Sequence, residues 1–412
     1  MDPVQQEVDK LYRQHFGKMI AALLRFSRDI PFETAEDIVQ DAFSTALTDW
    51  REKEIPANTM GWIYKVCRNK ALNKLKSDKR LDLLSEIPAH QSVGAPFNGS
   101  VLEDQQLKLL FACAHPDLSP KAQVVITLKY VVNLRVAVIA QSLGMTIDGV
   151  DKLLLRSRQK IKEEKIILEE PPPQALEQRL PIVHKIIYLT FNEGYKSSGG
   201  KDILREELCE EALILNQTLL NSNIRNRETE ALQALMLFNC ARFSSRFSAS
   251  GALLDLESQD RSLWNQDLIQ LAHDLLNRSQ SAVVSTYHLE AAIACLHCVA
   301  KSFALTEWKT IAGIYARLLQ INSNPFVELN YAIALFYAGE KEAAFTILHR
   351  LERHAFLNQY YLLNMTLGKF HHLEGNGTLA RQYLRTAYRQ TDAAKEKDFI
   401  QNMIDHLQES TQ

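Results

Sequence analysis

Two segments near the C-terminus carry the same pattern of small and aliphatic residues, 36 residues apart. Ala332, Gly339, Ala344 and Leu348 in the first segment fall on Gly368, Gly375, Ala380 and Leu384 in the second. Small residues let two helices approach closely, and a glycine turns the chain between them. The repeat therefore predicts antiparallel helix pairs that stack side by side.

Helical periodicity continues through the rest of the C-terminal half. A looser third unit, AIACLHCVAKSFALTEWKTIAGIYARLL, precedes the two clear ones. After the proline run EEPPPQ, the sequence shows no convincing β alternation. The period is close to that of tetratricopeptide helix pairs, about 34 residues. The predicted fold is all-α, with two small helical modules followed by a tetratricopeptide-like solenoid. An ordinary helical domain with chance similarity between two hairpins is the alternative.

Changes in composition divide the chain. SEIPAHQSVGAPFNGS is rich in Ser, Gly and Pro and interrupts helical periodicity, as a linker does. Three consecutive prolines in EEPPPQALEQRLP cannot continue a helix. With 412 residues, 46% of them hydrophobic, the chain can bury more than one core. The predicted parts are a first module at 1–84, a linker at 85–102, a second module at 103–168, a proline-rich connector at 169–178 and a helical extension at 179–412.

The cysteines and the N-terminus bear on where the protein works. Six Cys scattered through 412 residues do not make a disulfide framework, which favours a reducing compartment. The first residues, MDPVQQEVDKLYRQHFGKM, lack the apolar core of a signal peptide. Nothing later offers the roughly 18 uncharged apolar residues of a membrane span. We therefore expect a soluble cytoplasmic protein with no membrane partner.

A strip of positive charge at 58–80, NTMGWIYKVCRNKALNKLKSDKR, stands out in a nearly neutral chain. It holds seven Lys or Arg and one Asp, whereas the whole chain has a formal net charge of −2. A helical wheel gives one apolar side and one side with an aromatic ring, two carboxamides and cations, which suits a phosphate backbone and an unstacked base. That second side carries Trp62, Lys65, Asn69, Asn73 and Lys76. Alternatively, the lysines are merely solvated and Trp62 belongs to the core.

An acidic helix is predicted just upstream, in ETAEDIVQDAFSTALTDW. Glu33, Glu36, Asp37 and Asp41 lie in its first half, where acids complement the helix dipole. This structural role is sufficient by itself. An acidic surface beside a basic strip would also suit a basic partner protein.

A second basic stretch, DKLLLRSRQKIK, has five basic residues and one acid. The preceding residues give Ala140, Gly144 and Val150 the spacing of a helix-turn-helix, and Thr146 can cap the second helix. The second helix is predicted to expose Asp148, Asp151, Lys152, Leu155, Arg156 and Gln159. Base reading favours Arg, Lys, Asn or Gln at its start, so the acids there make sequence selectivity doubtful. A helical hairpin with a solvated basic tail is the alternative.

Together these segments resemble a known family. AEDIVQDAF followed by GWIYKVCRNKALNKLK is similar to region 2 of the extracytoplasmic-function group of sigma-70 type transcription initiation factors. LSPKAQVVITLKY, the helix-turn-helix and RSRQKIK are similar to their region 4. Four further segments resemble the subgroup with a tetratricopeptide-like C-terminal extension: LLFACAHPDLSPKAQ, RLPIVHKIIYLTFNEGYKSSGG, LCEEALILNQTLL and ELNYAIALFYAGEKEAA. The resemblance covers nearly the whole chain. It implies an alternative sigma factor that binds core RNA polymerase and promoter DNA, catalyses no reaction and needs no cofactor or metal.

The resemblance also implies roles for individual residues. The helix with Asp37, Gln40 and Asp41 would dock on the clamp helices of the polymerase largest subunit, and the polymerase flap is a further expected contact. Asn69 and Asn73 match positions that help to read the minus-10 element on the single non-template strand. The full set expected at minus-10 DNA is Trp62, Lys65, Arg68, Asn69, Lys70, Asn73, Lys74 and Lys76.

Contacts with minus-35 DNA are implied for region 4. The residues expected there are Thr146, Lys152, Arg156 and Arg158. The family often has Thr, Lys and Arg where this chain has Gly149, Asp151 and Leu153, and these departures weaken the expectation.

Two other functions compete with this one. An interaction scaffold would use the helical extension as its working part and carry degenerate N-terminal modules, a reading that Gly149 and Asp151 favour. A metalloprotein would use Cys295, His297 and Cys298, but a single CxxC supplies at most a partial ligand set. In the sigma-factor reading, the extension binds a protein or peptide partner, or holds the two modules intramolecularly, in a regulatory role.

Overall fold

The computed structural model describes residues 2–27, 30–81, 99–196, 205–248 and 251–409. They form 18 α-helices and three short 3₁₀ helices, and the β-type pairing among them is one isolated bridge between Phe247 and Leu253. The prediction of an all-α fold is confirmed. The chain divides into two compact units, and the boundary lies after Ile224.

Unit 1 contains the first nine helices. They are α1 (Pro3–Phe26), α2 (Phe32–Glu52), α3 (Thr59–Leu81), α4 (Gly99–Cys113), α5 (Pro120–Tyr130), α6 (Val136–Leu143), α7 (Ile147–Glu163), α8 (Pro173–Tyr195) and α9 (Glu206–Leu220).

Helices α1, α2 and α3 pack together through apolar faces that recur at helical spacing. Asp2 starts α1, because its side chain accepts a hydrogen bond from the Val4 amide at 3.0 Å. In the core, the ring of Tyr12 lies 5.0 Å from that of Phe16 and 5.1 Å from that of Phe43. This aromatic contact joins α1 to α2.

Helix α5 forms the centre of the rest of unit 1, with α4, α6, α7 and α8 packed around it. Ser119 caps it by accepting a hydrogen bond from the Ala122 amide at 3.3 Å, and Pro120 occupies its first turn. The run from Ala122 to Leu128 is buried throughout. Gln123 is satisfied in this core because its Nε2 donates to the His115 carbonyl at 2.7 Å.

At Gly17, α1 approaches the loop after α5 closely. A Cβ placed on Gly17 would lie 1.6 Å from the carbonyl oxygen of Val131. Two residues on, Asn133 has φ 59°, and its side chain bonds to Tyr12 of α1. The first three helices and the helices around α5 therefore belong to one packed body.

Several boundaries differ from those expected. Most of the predicted linker at 85–102 lies within 82–98, which is outside the described residues. Its last residues belong to α4, which begins at Gly99. The proline run does interrupt the helical chain, and α8 starts at its third proline, Pro173. Helices α8 and α9 lie mostly in the range assigned to the extension, yet they pack on α4, and α8 also on α5, within unit 1. Amphipathic periodicity reveals a buried face but not which helix covers it.

Unit 2 contains the remaining nine helices. They are α10 (Arg227–Cys240), α11 (Gln266–Arg278), α12 (Thr286–Val299), α13 (Trp308–Ile321), α14 (Pro325–Tyr337), α15 (Lys341–Leu351), α16 (Tyr361–Leu373), α17 (Gly377–Gln390) and α18 (Ala394–Glu409).

The sequence repeat corresponds to two consecutive helix pairs, α14–α15 and α16–α17. Their first helices begin 36 residues apart, at Pro325 and Tyr361. Gly339 and Gly375 turn the chain inside the two pairs with φ of 93° and 77°, a conformation that favours glycine. A Cβ on Gly368 would lie 2.7 Å from Leu384 Cγ, so this glycine permits close packing of α16 on α17.

A long segment joins α10 to α11, and its described residues, 241–248 and 251–265, form no α-helix. We call residues 241–265 the insert. It contains 3₁₀ turns at Phe243–Ser245 and Arg261–Leu263 as well as the Phe247–Leu253 bridge. Connections of this length in a compact domain commonly carry a function.

Among the described helices, none is both long and apolar enough to cross a membrane.

Candidate nucleic-acid and polymerase interface

Helix α3 has the two-sided character that its sequence predicts. Its start is held by Asn58, whose Oδ1 accepts a hydrogen bond from the Gly61 amide at 2.8 Å. Ile63, Cys67 and Ala71 are fully buried. The opposite side presents the exposed residues Lys65, Asn69, Asn73, Lys74 and Lys76. Asn69 and Asn73 are four residues apart, so they point from the same face of the helix.

Three other residues of the expected minus-10 set are partly engaged within the protein. Trp62 is half-buried, and its ring lies 5.4 Å from that of Trp50 in an edge-on arrangement. The guanidinium of Arg68 lies 5.7 Å from the ring centre of Phe26. Lys70 Nζ lies 2.6 Å from Asp41 Oδ2. The continuously exposed part of this face is therefore narrower than the sequence pattern suggests.

The three residues expected to meet RNA polymerase, Asp37, Gln40 and Asp41, are all exposed on α2. Asp41 forms the ion pair with Lys70, and Gln40 Nε2 donates to Glu36 Oε1 at 3.4 Å. Asp37 lies on the same exposed side of the helix. The arrangement leaves an acidic surface next to the basic face of α3.

Helices α6 and α7 are joined by the tight turn that the sequence predicts. Gly144 ends α6 with φ 60°, in the left-handed region. Thr146 caps α7, and its Oγ1 accepts a hydrogen bond from the Gly149 amide at 3.1 Å. The predicted exposed set of Asp148, Asp151, Lys152, Leu155, Arg156 and Gln159 is exposed as expected, and Val150 is buried. DNA binding by this helix pair stays a prediction.

The four residues expected at minus-35 DNA differ in availability. Lys152 Nζ lies 2.8 Å from Asp148 Oδ2 one turn earlier. Arg158 Nε lies 2.7 Å from Glu33 Oε1 of α2. Thr146 is used as a cap, whereas Arg156 is exposed. Most of this set already has partners inside the protein.

The contact between Glu33 and Arg158 belongs to a larger seam between α2 and the helices around α5. Lys129 Nζ of α5 lies 2.6 Å from Glu36 Oε1, with both side chains largely buried. The rings of Phe32 and Tyr130 stack with centres 4.8 Å apart. We call Phe32, Glu33, Glu36, Lys129, Tyr130 and Arg158 the seam. Sequence reasoning missed Lys129, whose signal is a single cation near the end of the otherwise apolar segment VVITLKY.

The charges of the seam reinforce one another. Burial acts to lower the pKa of Arg158, but the hydrogen bond from its Nη1 to Tyr130 Oη and the carboxylates of Glu33 and Glu36 outweigh burial and raise that pKa. Burial also raises the pKa of Tyr130, so its phenol keeps its proton. Both shifts favour the protonated forms of Arg158 and Tyr130, which are bonded to each other.

The cysteines weighed as metal ligands lie in unit 2. Cys298 is buried, and its Sγ is 3.6 Å from the Phe238 carbonyl. Burial raises the pKa of this thiol to about 12 and lowers the pKa of His297 to about 3. In the described parts of the chain, no group of three or more His, Cys, Asp or Glu is positioned to hold a metal ion.

Comparison with known proteins bears on both units. Residues 11–81 match sigma-70 region 2, and residues 179–280 match a family of unknown function (DUF6596). The chain is 30% identical over 396 residues to an uncharacterised protein of Rhizobium meliloti (strain 1021), a match that covers 94% of this chain and 93% of that protein. No solved structure matches the chain.

Helices α1 to α3 thus carry a sigma-70 region 2 domain, which supports a role in RNA polymerase binding and transcription initiation. The match ends at residue 81, where α3 ends, and it includes both the acidic side of α2 and the basic side of α3. The chain belongs to the same family as the Rhizobium protein, with which it shares nearly its whole length.

Proposed function

We propose that this protein is an alternative sigma factor of the extracytoplasmic-function group. It binds core RNA polymerase and directs promoter recognition, strand opening and the start of transcription. The observation that carries the proposal is the exposed side of α3, where Asn69 and Asn73 stand among Lys65 and Lys76 inside the segment that matches sigma-70 region 2.

The proposed mechanism is binding rather than bond chemistry. Lysines on α3 neutralise phosphates of the separated non-template strand, while the two carboxamides hydrogen-bond to edges of its unstacked bases. Trp62, half-buried at the start of the helix, supplies a ring edge next to that strand. Holding the strand apart stabilises the open complex, and the polymerase supplies the catalysis.

The α6–α7 pair contributes less in this proposal. Because Lys152 is countered by Asp148 and Arg158 by Glu33, Arg156 is the cation of the expected minus-35 set that stays exposed without a carboxylate partner among the described residues. Promoter choice then depends chiefly on the minus-10 strand. Binding should still weaken steeply with salt, since each neutralised phosphate releases counterions.

Polymerase binding is assigned to the exposed side of α2 that carries two acids and a glutamine. Asp37, Gln40 and Asp41 face outward and meet the clamp helices of the largest subunit, with region 4 on the flap. Unit 2 has a regulatory or partner-binding role in the proposal. Its stacked helix pairs offer the kind of extended surface that repeat proteins use for binding.

Run-off transcription with purified core polymerase tests the proposal. Asn69→Ala with Asn73→Ala should lower transcript yield about 10- to 100-fold, as expected when two base contacts are lost. Asn402→Ala changes an exposed Asn on α18 and serves as the matched control. Equal transcription by the double variant and the control would refute the role of α3.

The structure places the boundary between the two units after Ile224, so a truncated chain can be designed to end there. A chain that ends after Ile224 keeps α8 and α9, which pack on α4, whereas a chain that ends near Glu170 would strip those helices from unit 1. If unit 2 is regulatory, the chain that ends after Ile224 binds polymerase but differs from the full-length protein in its transcription activity. Identical transcription by the chain that ends after Ile224 and by the full-length protein would refute the regulatory role.

The acids on the exposed side of α7 favour one second candidate. Asp148 and Asp151 there oppose DNA phosphates, as they would in an interaction scaffold whose DNA-binding modules are degenerate. Pull-down with core polymerase separates the two functions. A scaffold forms no complex with polymerase and supports no transcript from any promoter.

A further inference from the structure

Lys369 of α16 holds two carboxylates of the insert. Its Nζ lies 2.7 Å from Asp255 Oδ2 and 2.8 Å from Glu257 Oε2. The Lys369 side chain is 22% exposed, and those of Asp255 and Glu257 are 27% and 47% exposed. The acids are separated by Leu256 alone, and residues 255–258 form a turn in which the Ser258 amide donates to the Asp255 carbonyl at 3.1 Å. A turn with the pattern acid, aliphatic, acid therefore lies on the helix pairs of unit 2.

A cavity of about 260 Å³ adjoins this ion pair. Its walls come from the insert at 255–257 and from helices α12, α13, α14 and α16, which contribute His297, Trp308, Tyr315, Asn330, Tyr337 and Thr366. The insert therefore covers this surface without filling it. The free volume is enough for further side chains beside Leu256.

The charge of Lys369 restricts what can occupy the site. Burial by itself acts to lower the pKa of Lys369, and the carboxylate of Asp255, together with bonds to Asp255 and Glu257, outweighs burial and raises that pKa above its usual value. Without these acids, a largely buried ammonium group would lack a counter-charge, which is costly. Any molecule that replaces residues 255–257 must bring negative charge with it.

The ends of the insert are fastened independently of Lys369. Arg261 Nη1 donates to the carbonyls of His297 at 2.5 Å and Ala300 at 2.8 Å. Trp264 Nε1 donates to Ser245 Oγ at 2.7 Å. These bonds do not involve residues 255–257, so that stretch can leave Lys369 while the base of the insert stays attached.

We propose that the surface formed by α12, α13, α14 and α16 is a binding site for an acidic peptide of a partner protein that adopts the same turn as residues 255–258. Two carboxylates of that peptide, flanking an aliphatic residue, replace Asp255 and Glu257 on Lys369, and its neighbouring side chains enter the cavity. The insert is the internal occupant of the site in the absence of the partner. The proposal deepens the partner-binding role of unit 2 and is independent of promoter binding, so each can fail without the other.

The test uses the full-length protein and a fluorescein-labelled copy of residues 251–259, Gly-Ala-Leu-Leu-Asp-Leu-Glu-Ser-Gln. Asp255→Asn with Glu257→Gln removes the internal competitor and leaves Lys369 in need of an anion. This double variant should bind the peptide at least about tenfold more tightly than the wild type does, measured by fluorescence anisotropy. A peptide with Asn and Gln in place of the two acids is the control ligand.

Two lysine variants in the same background identify the anchor. Lys369→Met should abolish peptide binding. Lys341→Met should leave it unchanged, because Lys341 pairs with Glu374 and lies outside the cavity. The proposal is overturned if the folded double variant binds no peptide, if the neutral peptide binds equally well, or if Lys369→Met retains binding.

A second measurement on the wild type covers the case in which the double variant does not fold. Glutamyl endopeptidase should cut after Glu257 faster once this stretch has left Lys369, because the ion pair no longer holds the Glu257 side chain. Excess acidic peptide should accelerate that cut, and the neutral peptide should not. If the acidic peptide leaves the cleavage rate unchanged, it does not displace residues 255–257. If the wild type forms a dimer that Lys369→Met dissociates, the occupant of the site is the insert of a second copy, and the proposal is overturned.

Discussion

Helices α3 and α7 are both basic by count, yet they present their charge differently. The strip at 58–80 has seven basic residues and one acid, and the stretch at 151–162 has five and one. On α3, Lys65 and Lys76 stand exposed beside two asparagines. On α7, Lys152 and Arg158 are held by carboxylates from α7 itself and from α2.

The positive charge that a helix can offer to DNA therefore depends on where the nearest carboxylates lie. Asp148 is one turn from Lys152, so local sequence reveals that pair. Glu33 is far from Arg158 in the chain, so only the folded structure brings those side chains together. A count of basic residues therefore overestimates the DNA-binding capacity of α7 more than that of α3.

The largest expected effect comes from removing two charges from each helix in turn. Lys65→Gln with Lys76→Gln should weaken promoter binding about tenfold or more and reduce the salt slope by roughly 2, because two phosphate contacts are lost. Lys152→Gln with Arg156→Gln should weaken binding by less than about threefold, since one of these cations is already countered. Anisotropy with a forked promoter duplex measures both. Equal losses of affinity from the two double variants would show that α3 and α7 offer the same charge to DNA.

The next effect concerns how firmly unit 1 is held together. Burial raises the pKa of Glu211 on α9 to about 7, even though Gln106 of α4 donates a hydrogen bond to it. The folded pKa exceeds the unfolded one, so the contribution of Glu211 to stability is most favourable at low pH and declines as pH rises from about 4.5 through 7. Glu211→Gln should remove this decline and add about 1 to 3 kcal/mol at pH 8. Urea unfolding at pH 5 and pH 8 measures the difference, and parallel pH profiles for variant and wild type would contradict it.

A smaller effect should follow from opening the seam. Glu33→Gln with Glu36→Gln releases Arg158 and Lys129, so affinity for nonspecific duplex DNA should rise about three- to tenfold. Glu52→Gln with Glu54→Gln removes the same charge from exposed positions at the end of α2 and is the matched control. If both double variants gain affinity equally, net charge explains the change and the seam does not restrain α7.

The smallest effect isolates the cap of α7. Thr146→Ala removes the acceptor for the Gly149 amide and should destabilise the protein by about 1 kcal/mol. Thr146→Ser keeps the acceptor and should restore stability, as measured by thermal unfolding. Retained stability in the alanine variant would leave DNA contact as the main role of Thr146.

The sequence predicts well what depends on local period. The buried and exposed sides of α3 and α7, the turn at Gly144 and the 36-residue spacing of the helix pairs all follow from residues within two turns of one another or from internal repetition. The same holds for the sigma-70 region 2 domain, whose motifs are contiguous.

Long-range pairings could not be predicted in the same way. Lys369 lies 112 and 114 residues from Glu257 and Asp255, and Lys129 lies 93 residues from Glu36. Periodicity carries no information about such separations, because any exposed acid is an equivalent partner until the fold is known. For the same reason, α8 and α9 were expected with the C-terminal repeats, whereas they complete the core of unit 1.

The close approach of α1 to the Val131 carbonyl at Gly17 has a practical consequence. A single methyl group there would act as a wedge: it cannot be accommodated until residue 131 withdraws from α1. Gly17→Ala would thus force α1 and the loop after α5 apart without removing any ionisable group from the chain. The Gly17→Ala variant therefore tests the packing of α1 on that loop without changing the charge of the protein.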